Sequence, residues 1–214
     1  MTRLVVGLGN PGPEYEWTRH NIGFHVLDRI LAVAGRRNDG VLFRSARRLE
    51  GYHGPRGFSW ARLEEPDVFL LRPETYMNRS GDVVAPIARF LFPPDPDGEE
   101  GAPPDVSGMM VVYDDLDLDL GRLRIRPHGG HGGQNGMRSI FSSLGTDRFP
   151  RLRVGIGPSG TDAARHVLQP FPPKERVEAE ISIAEAAEAI LDWLRDGDLE
   201  GCMTRYHSRW NQES

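Results

Sequence analysis

Four short apolar runs constrain this chain most: Leu4–Leu8, Val68–Leu71, Met109–Tyr113 and Leu152–Ile156. Each is too short for an ordinary helix and too apolar for a half-exposed strand, so each reads as a strand buried on both faces. Helical spacing fills the gaps between them. Asn21–Ala34 carries Ile22, Val26, Leu27, Ile30, Leu31 and Val33, with Gly35 as a stop. Ser80–Phe92 reads as a helix that Pro86 should kink or shorten. The glycine-rich stretch "GGHGGQNGMRSIFSSLG" runs into a third helix. Lys174–Arg195 is amphipathic, and Val177, Ile181, Ala184, Ala187, Ile190, Leu191 and Leu194 form its expected core face. A short C-terminal helix follows. Val41–His53 and Phe58–Leu63 read as strands around the turn at Gly54-Pro55, and Gly121–Arg126 as a polar edge strand. Buried strands alternating with helices define the α/β class: one domain, residues 1–214, with a central mixed, mostly parallel twisted sheet flanked by helices. Pro93–Gly108 has Val106 as its only core-forming residue. It is expected to be a flexible acidic insertion loop that projects off any polyanion-binding face.

No apolar run approaches the roughly 20 residues that a membrane span needs. The start lacks the charged and apolar regions of a signal peptide, so none is expected. The single cysteine, Cys202, cannot form an internal disulfide and fits a reducing cytoplasm. It lies among helically spaced apolar residues and reads as packing. The net charge of −5 hides a strong asymmetry. Between Gly121 and Val154 there are seven arginines (122, 124, 126, 138, 148, 151, 153) and one acid, Asp147. Asp95–Asp119 holds nine acids and no base, and Glu175–Glu200 nine acids and two arginines. Binding follows the local field, so a basic face on an acidic body suits a polyanion approached from one side.

Gly7-Leu-Gly9-Asn-Pro-Gly12 spells G-x-G-x-x-G after a strand, the dinucleotide-binding pattern. That pattern requires a helix opening at the second glycine and an acid about 20 residues on. Here Pro11 and Pro13 flank the third glycine, helical periodicity waits until Ile22, and no such acid is evident. The glycines therefore read as a tight turn. "DDLDLDLG" is not a calcium loop, because Leu120 and Arg126 stand where an EF-hand needs Gly and Glu. His128-x-x-His131 has metal-ligand types but lies between glycines without a second pair, and reads as loop. No G-x-S-x-G or H-E-x-x-H is present.

In sheets of this kind ligands sit outside the carboxyl ends of the strands. Three polar clusters fall there: Asn10–Asn21, Thr75–Asn78 and Tyr113–Asp115. Two members carry acid–base chemistry. His20, at a helix start, can serve as a general base near neutral pH. Asp114, at a strand end, can fix its tautomer. No serine or cysteine nucleophile accompanies them, so the direct reading is a base that activates water. Asn10, Asn78 and Asn135 are neutral groups able to bind amide or ester carbonyls, although each singly reads as a turn residue.

The stretches "VVGLGNPGPEYEWTRHNIGFHVLD", "RPETYMNRSG", "VVYDDLDLDLGRLRIRPHGGHGGQNGMRSI" and "RFPRLRVGIG" resemble the bacterial-type peptidyl-tRNA hydrolases, in order, over about Leu4 to Glu200. The resemblance implies a monomeric, cytoplasmic α/β enzyme that needs no metal or cofactor. Its substrate would be peptidyl-tRNA, cleaved at the ester to the tRNA 3′ end, with no membrane and no obligatory protein partner. It implies that His20 is the catalytic base, Asp114 its partner, and Asn10 the group positioning the carbonyl or water. Asn78 and Asn135 would hold the peptide backbone and the 3′ end. Tyr15 would contact the terminal nucleotide or the phosphate region, Met77 would line the peptide channel, and Arg126 and Arg153 would meet tRNA phosphates. Two positions depart from the family's pattern. Gln134 stands where it usually reads histidine, in G-G-H-N-G, and Tyr113 replaces a frequent histidine before Asp114. The competing reading is a non-catalytic RNA-binding relative; the presence of His20, Asp114 and Asn10 together weighs against it.

Overall fold

The apolar runs pair as the centre of a seven-stranded sheet in a computed structural model that describes residues 2–34, 41–64, 67–93, 101–160 and 162–208. The strands are β1 (Arg3–Gly7), β2 (Arg44–Ser45), β3 (Phe58–Leu63), β4 (Val68–Pro73), β5 (Met109–Asp115), β6 (Leu123–Arg126) and β7 (Arg151–Gly155). Their order across the sheet is β2-β3-β4-β1-β5-β7-β6. The central four, β4, β1, β5 and β7, are mutually parallel, and β2, β3 and β6 add antiparallel edges. The mostly parallel sheet read from the sequence is thus its centre.

Alternation along the central strands supplies two core layers. Val5, Leu70, Val112 and Leu152 face α1 (Ile22–Ala34), α5 (Pro173–Asp196) and α6 (Leu199–Ser208). Leu4, Val6, Leu71 and Val111 face α2 (Gly81–Leu91) and α3 (Asn135–Leu144). A further short helix, α4 (Ala163–Val167), precedes α5. Each buried aliphatic side chain contributes roughly 1.5–3 kcal/mol, so the two layers carry most of the fold. At the far edge the Ile125 N–H of β6 donates to Nε2 of His207 on α6 at 2.9 Å, which satisfies a donor the sheet leaves unpaired.

Chain order places the ligand end. From β1 the chain passes to β4 on one side and later to β5 on the other, so the loops after these strands diverge beside β1. The glycines of the first loop serve this junction. A Cβ on Gly7 would lie 2.3 Å from the Gly23 carbonyl oxygen, and one on Gly23 2.5 Å from both Leu8 N and Val112 O. Helix α1 therefore meets β1 and β5 backbone to backbone. Gly12, at φ 115°, turns the chain toward the short 3-10 turns Pro13–Tyr15 and Arg19–Asn21.

Three expectations change. Val41–His53 is not one strand: only Arg44–Ser45 pairs, and Ala46–Arg48 coils into a 3-10 turn. The burial pattern gives the reason, since the pairing residues are both exposed while Ala46 turns into the core. The core stripe of α5 keeps Ala187, Ile190 and Leu194 as expected but is rotated at its start. Ala179, Ser182, Ile183, Ala186, Ile190 and Trp193 are buried, whereas Val177 and Ile181 are 65% and 54% exposed. Small residues mark the face that can approach the neighbouring elements closely, and the taller aliphatics stand on its flank. Pro86 does not shorten α2, which runs five residues past it to Leu91. Of the acidic loop, residues 94–100 and the expected stop at Gly35 lie outside the described residues; Val106 is buried against the α2/α3 layer. Cys202 is buried, donates to the Ala189 carbonyl, and burial pushes its thiol up to about 11.

The close approach at Gly7 predicts that Gly7→Ala lowers stability by about 1–3 kcal/mol, since a methyl there meets backbone that cannot yield. Denaturant unfolding checks this; an unchanged midpoint would show that α1 can lift off the sheet.

Candidate active site

The parallel centre brings the polar clusters to one end. His20 sits in the 3-10 turn Arg19–Asn21 that leads into α1, and Asp114 is the sixth residue of β5. Both are buried, at 7% and 3% exposure. The His20 Nδ1–H donates to Asp114 Oδ2 at 2.8 Å, the tautomer the carboxylate imposes. Nε2 then carries the lone pair and makes no hydrogen bond among the described residues. Burial alone would pull the imidazole pKa down, but the Asp114 charge and hydrogen bond outweigh it and hold His20 above its ordinary value.

Asn10 is 6% exposed and almost wholly committed. Its backbone N–H donates to Asn21 Oδ1 at 2.8 Å, its carbonyl accepts from Asn21 Nδ2 at 3.0 Å, and its Oδ1 accepts from the Met77 N–H at 2.8 Å. The side-chain NH2 is the donor left over. Asn21 was not singled out in the sequence. Nothing in the local pattern marks it, because its partner lies eleven residues away. The turn carrying His20 is anchored by Arg19, also missed. Its guanidinium donates to the Gln169 and Pro170 carbonyls at 3.3 and 3.0 Å and to Glu175 at 2.7 Å.

The expected residues do not all converge. His20, Asp114 and Asn135 line a cleft of about 320 Å³, closed on one side by Ala163, Ala164 and Val167. Asn10 opens on a neighbouring groove of about 1170 Å³ with Asn21, Trp17 and Phe24. Met77 is buried between the two: its N–H is on Asn10, and its Sδ accepts from Gln134 Nε2 at 3.2 Å. Asn78 and Asn135 are exposed and Tyr15 is half-buried.

The arginine-rich segment divides in two. Arg124 and Arg126 alternate outward on β6, and with Arg138 and Arg148 they are exposed and form no ion pair among the described residues. Arg151, however, is 1% exposed and donates to the carbonyls of Gly129, Gly130, Asp147 and Phe149, which pins the glycine loop. Arg153 is half-buried and paired with Asp115 and, at 3.8 Å, Asp117. Arg122 pairs with Asp119 at 3.5 Å. Within the loop, His131 Nδ1 accepts from the Gly133 N–H at 3.0 Å, so its imidazole is used in the turn.

The model of the family described as peptidyl-tRNA hydrolase matches residues 4–214. A peptidyl-tRNA hydrolase of Rhodococcus opacus (strain B4) is 43% identical over 208 residues, covering 96% of this chain and 98% of that protein. One of Symbiobacterium thermophilum is 42% identical over 210 residues, covering 97% and 100%. Among solved structures, peptidyl-tRNA hydrolase from Acinetobacter baumannii superposes with a TM-score of 0.78 at 31% identity, over 96% of this chain and 94% of that one.

Because the Asp114 charge holds His20 up against burial, Asp114→Asn should lower the His20 pKa and leave burial to depress it. Titration of the His20 ring protons by NMR should show the midpoint moving to lower pH; an unmoved midpoint would mean that the pair is not electrostatically coupled. The stability that His20 protonation adds in the wild type is complete below about pH 6.5, the ordinary histidine value, and is lost as pH rises through the raised one.

Proposed function

The chain belongs to the peptidyl-tRNA hydrolase family, and we propose that it cleaves the ester between a peptide and the tRNA 3′ end with water activated by His20. The observation that carries this reading is the His20–Asp114 pair with Nε2 free at the cleft. His20 Nε2 takes a proton from water while the water oxygen bonds to the ester carbonyl carbon. The imidazolium that forms is stabilised by Asp114 through Nδ1–H. The tetrahedral intermediate then expels the ribose oxygen, which takes the proton back from Nε2. Free tRNA and a peptide carboxylic acid result.

The Asn10 NH2 is the donor we assign to the carbonyl oxygen as charge develops on it. A neutral donor held by three other hydrogen bonds needs no reorganisation during the reaction. Asn78 and Asn135, both exposed, are assigned to the peptide backbone and the terminal nucleotide. Tyr15 is assigned to the unpaired 3′ end, where aromatic rings stack on splayed bases. Met77 supports the wall between the two cavities.

For the tRNA body, Arg126 is the stronger of the two proposed phosphate contacts. It is exposed and unpaired among the described residues, whereas Arg153 shares its charge with Asp115. Register places Arg126 beside Arg151 and Asp115 beside Gly155, so Arg126 lies four β7 residues, about 13 Å, from the cleft end. A contact at that distance suits a phosphate of the acceptor stem and not the scissile end. The reaction fits a monomer in the cytoplasm, with the whole chain acting as one domain.

His20→Ala should lower turnover of N-blocked aminoacyl-tRNA by about 10²- to 10⁴-fold, with tRNA affinity nearly intact. Turnover at the wild-type level would remove His20 from the mechanism. Arg126→Ala should weaken tRNA binding and reduce the slope of log K against log salt by about one or less. An identical slope would mean that Arg126 meets no phosphate.

A further inference from the structure

Gln134 lies immediately before α3, and the structure gives its buried amide three partners. Nε2 donates to Asp114 Oδ1 at 3.1 Å and to Met77 Sδ at 3.2 Å, and Oε1 accepts from the Met137 N–H at 2.9 Å. The last contact fixes the other two. A backbone N–H can only donate, so the amide oxygen must face the first turn of α3 and the NH2 must face Asp114. Asp114 thus receives one donor on each oxygen, His20 on Oδ2 and Gln134 on Oδ1. With one donor the carboxylate would be free to rotate about its last side-chain torsion; donors on both oxygens hold its plane.

We propose that Gln134 is a positioning residue for the hydrolysis: it holds Asp114 so that Oδ2 stays on His20 Nδ1. Through Met77 it also ties this pair to Asn10, whose amide oxygen takes the Met77 N–H. The proposal rests on the hydrolase reading. The simpler account is a helix cap, and it uses only Oε1. A glutamate would cap α3 as well or better, since carboxylates are favoured at helix N-termini. Only the Asp114 side requires an N–H. Gln134→Glu therefore separates the two roles.

The test compares full-length wild type, Q134E, Q134S and Q134H for release of N-blocked aminoacyl groups from tRNA. The His20 Nδ1–H proton resonance and the melting temperature are followed alongside. Positioning predicts that Q134E loses kcat by about 100-fold, as small misplacements of a catalytic pair do, while KM changes little. Its His20 resonance should move or broaden away, and Q134H, with a ring N–H, should recover most of kcat. If Q134E fails to fold, Q134S decides the matter. Serine caps a helix well but is too short to reach Asp114, so kcat should fall with α3 intact. Wild-type kcat and an unmoved His20 resonance in either folded variant would overturn the proposal and leave Gln134 as a cap only. If the wild type itself releases nothing, the hydrolase reading fails, and the His20 resonance still decides whether Gln134 holds the pair.

Discussion

The backbone contact of α1 with β1 and β5 governs the rest of the molecule. Gly23 lies so close to Leu8 and Val112 that neither a side chain nor a layer of water fits between them. This sets the height of α1 above the sheet, and the turn Arg19–Asn21 is the first thing α1 carries. Asp114 lies two residues beyond Val112 on the same strand. The 2.8 Å separation of His20 and Asp114 is therefore inherited from the packing of small residues. That packing sets the two backbones, and the donor on the other Asp114 oxygen, Gln134 Nε2, holds the plane of the carboxylate. The glycine signature that spells a dinucleotide loop does different work here: it removes Cβ atoms where a helix lies on a strand.

Burying His20, Asp114, Asn10, Asn21 and Gln134 together is costly unless every group has a partner. The network meets that condition by using each donor and acceptor once. Asn21 closes both backbone groups of Asn10, Met77 N–H closes its oxygen, Gln134 closes the second oxygen of Asp114, and Met137 closes Gln134. The loops after β1 and β4, the end of strand β5 and the start of α3 are locked by this exchange. Among the described residues His20 Nε2 and the Asn10 side-chain NH2 are left without a partner, and these are the two groups that the proposed hydrolysis uses. A loss anywhere in the set leaves a buried polar group unmatched, which costs more than the bond itself contributed.

Much of this could be read from the residues. The four apolar runs became the four central strands, and the ends of those runs held His20, Asp114 and Asn10, because burial on both faces and termination by polar residues are local properties. Side-chain partners across loops are not local. Asn21, Arg19 and the cap role of Gln134 depend on elements far apart in sequence meeting, and no periodicity encodes that. The rotation of the buried face of α5 escaped for a related reason. Val177 and Ile181 have helical spacing and the right hydrophobicity, but the face that packs is chosen by how closely a neighbour can approach, which favours Ala179, Ser182 and Ala186.

The arginines show how far composition can carry. Seven in a row of thirty-odd residues read as one basic face, yet Arg151 spends its charge on backbone carbonyls and Arg153 and Arg122 on neighbouring acids. The field that reaches solvent comes from Arg124, Arg126, Arg138 and Arg148. Arg124 and Arg126 project from the strand at the edge of the sheet, and Arg138 from α3, whose first turn borders the cleft. Arg126, set back from the cleft end by about 13 Å, cannot stabilise an oxyanion there, since screening in water is strong beyond about 10 Å. In the proposed reading it holds an extended polyanion along the edge while neutral asparagines meet the carbonyl. On that reading, charge for holding and neutral amides for chemistry are kept apart, and among the described residues that line the cleft there is no lysine or arginine, so the His20 proton affinity is set by burial against the Asp114 charge.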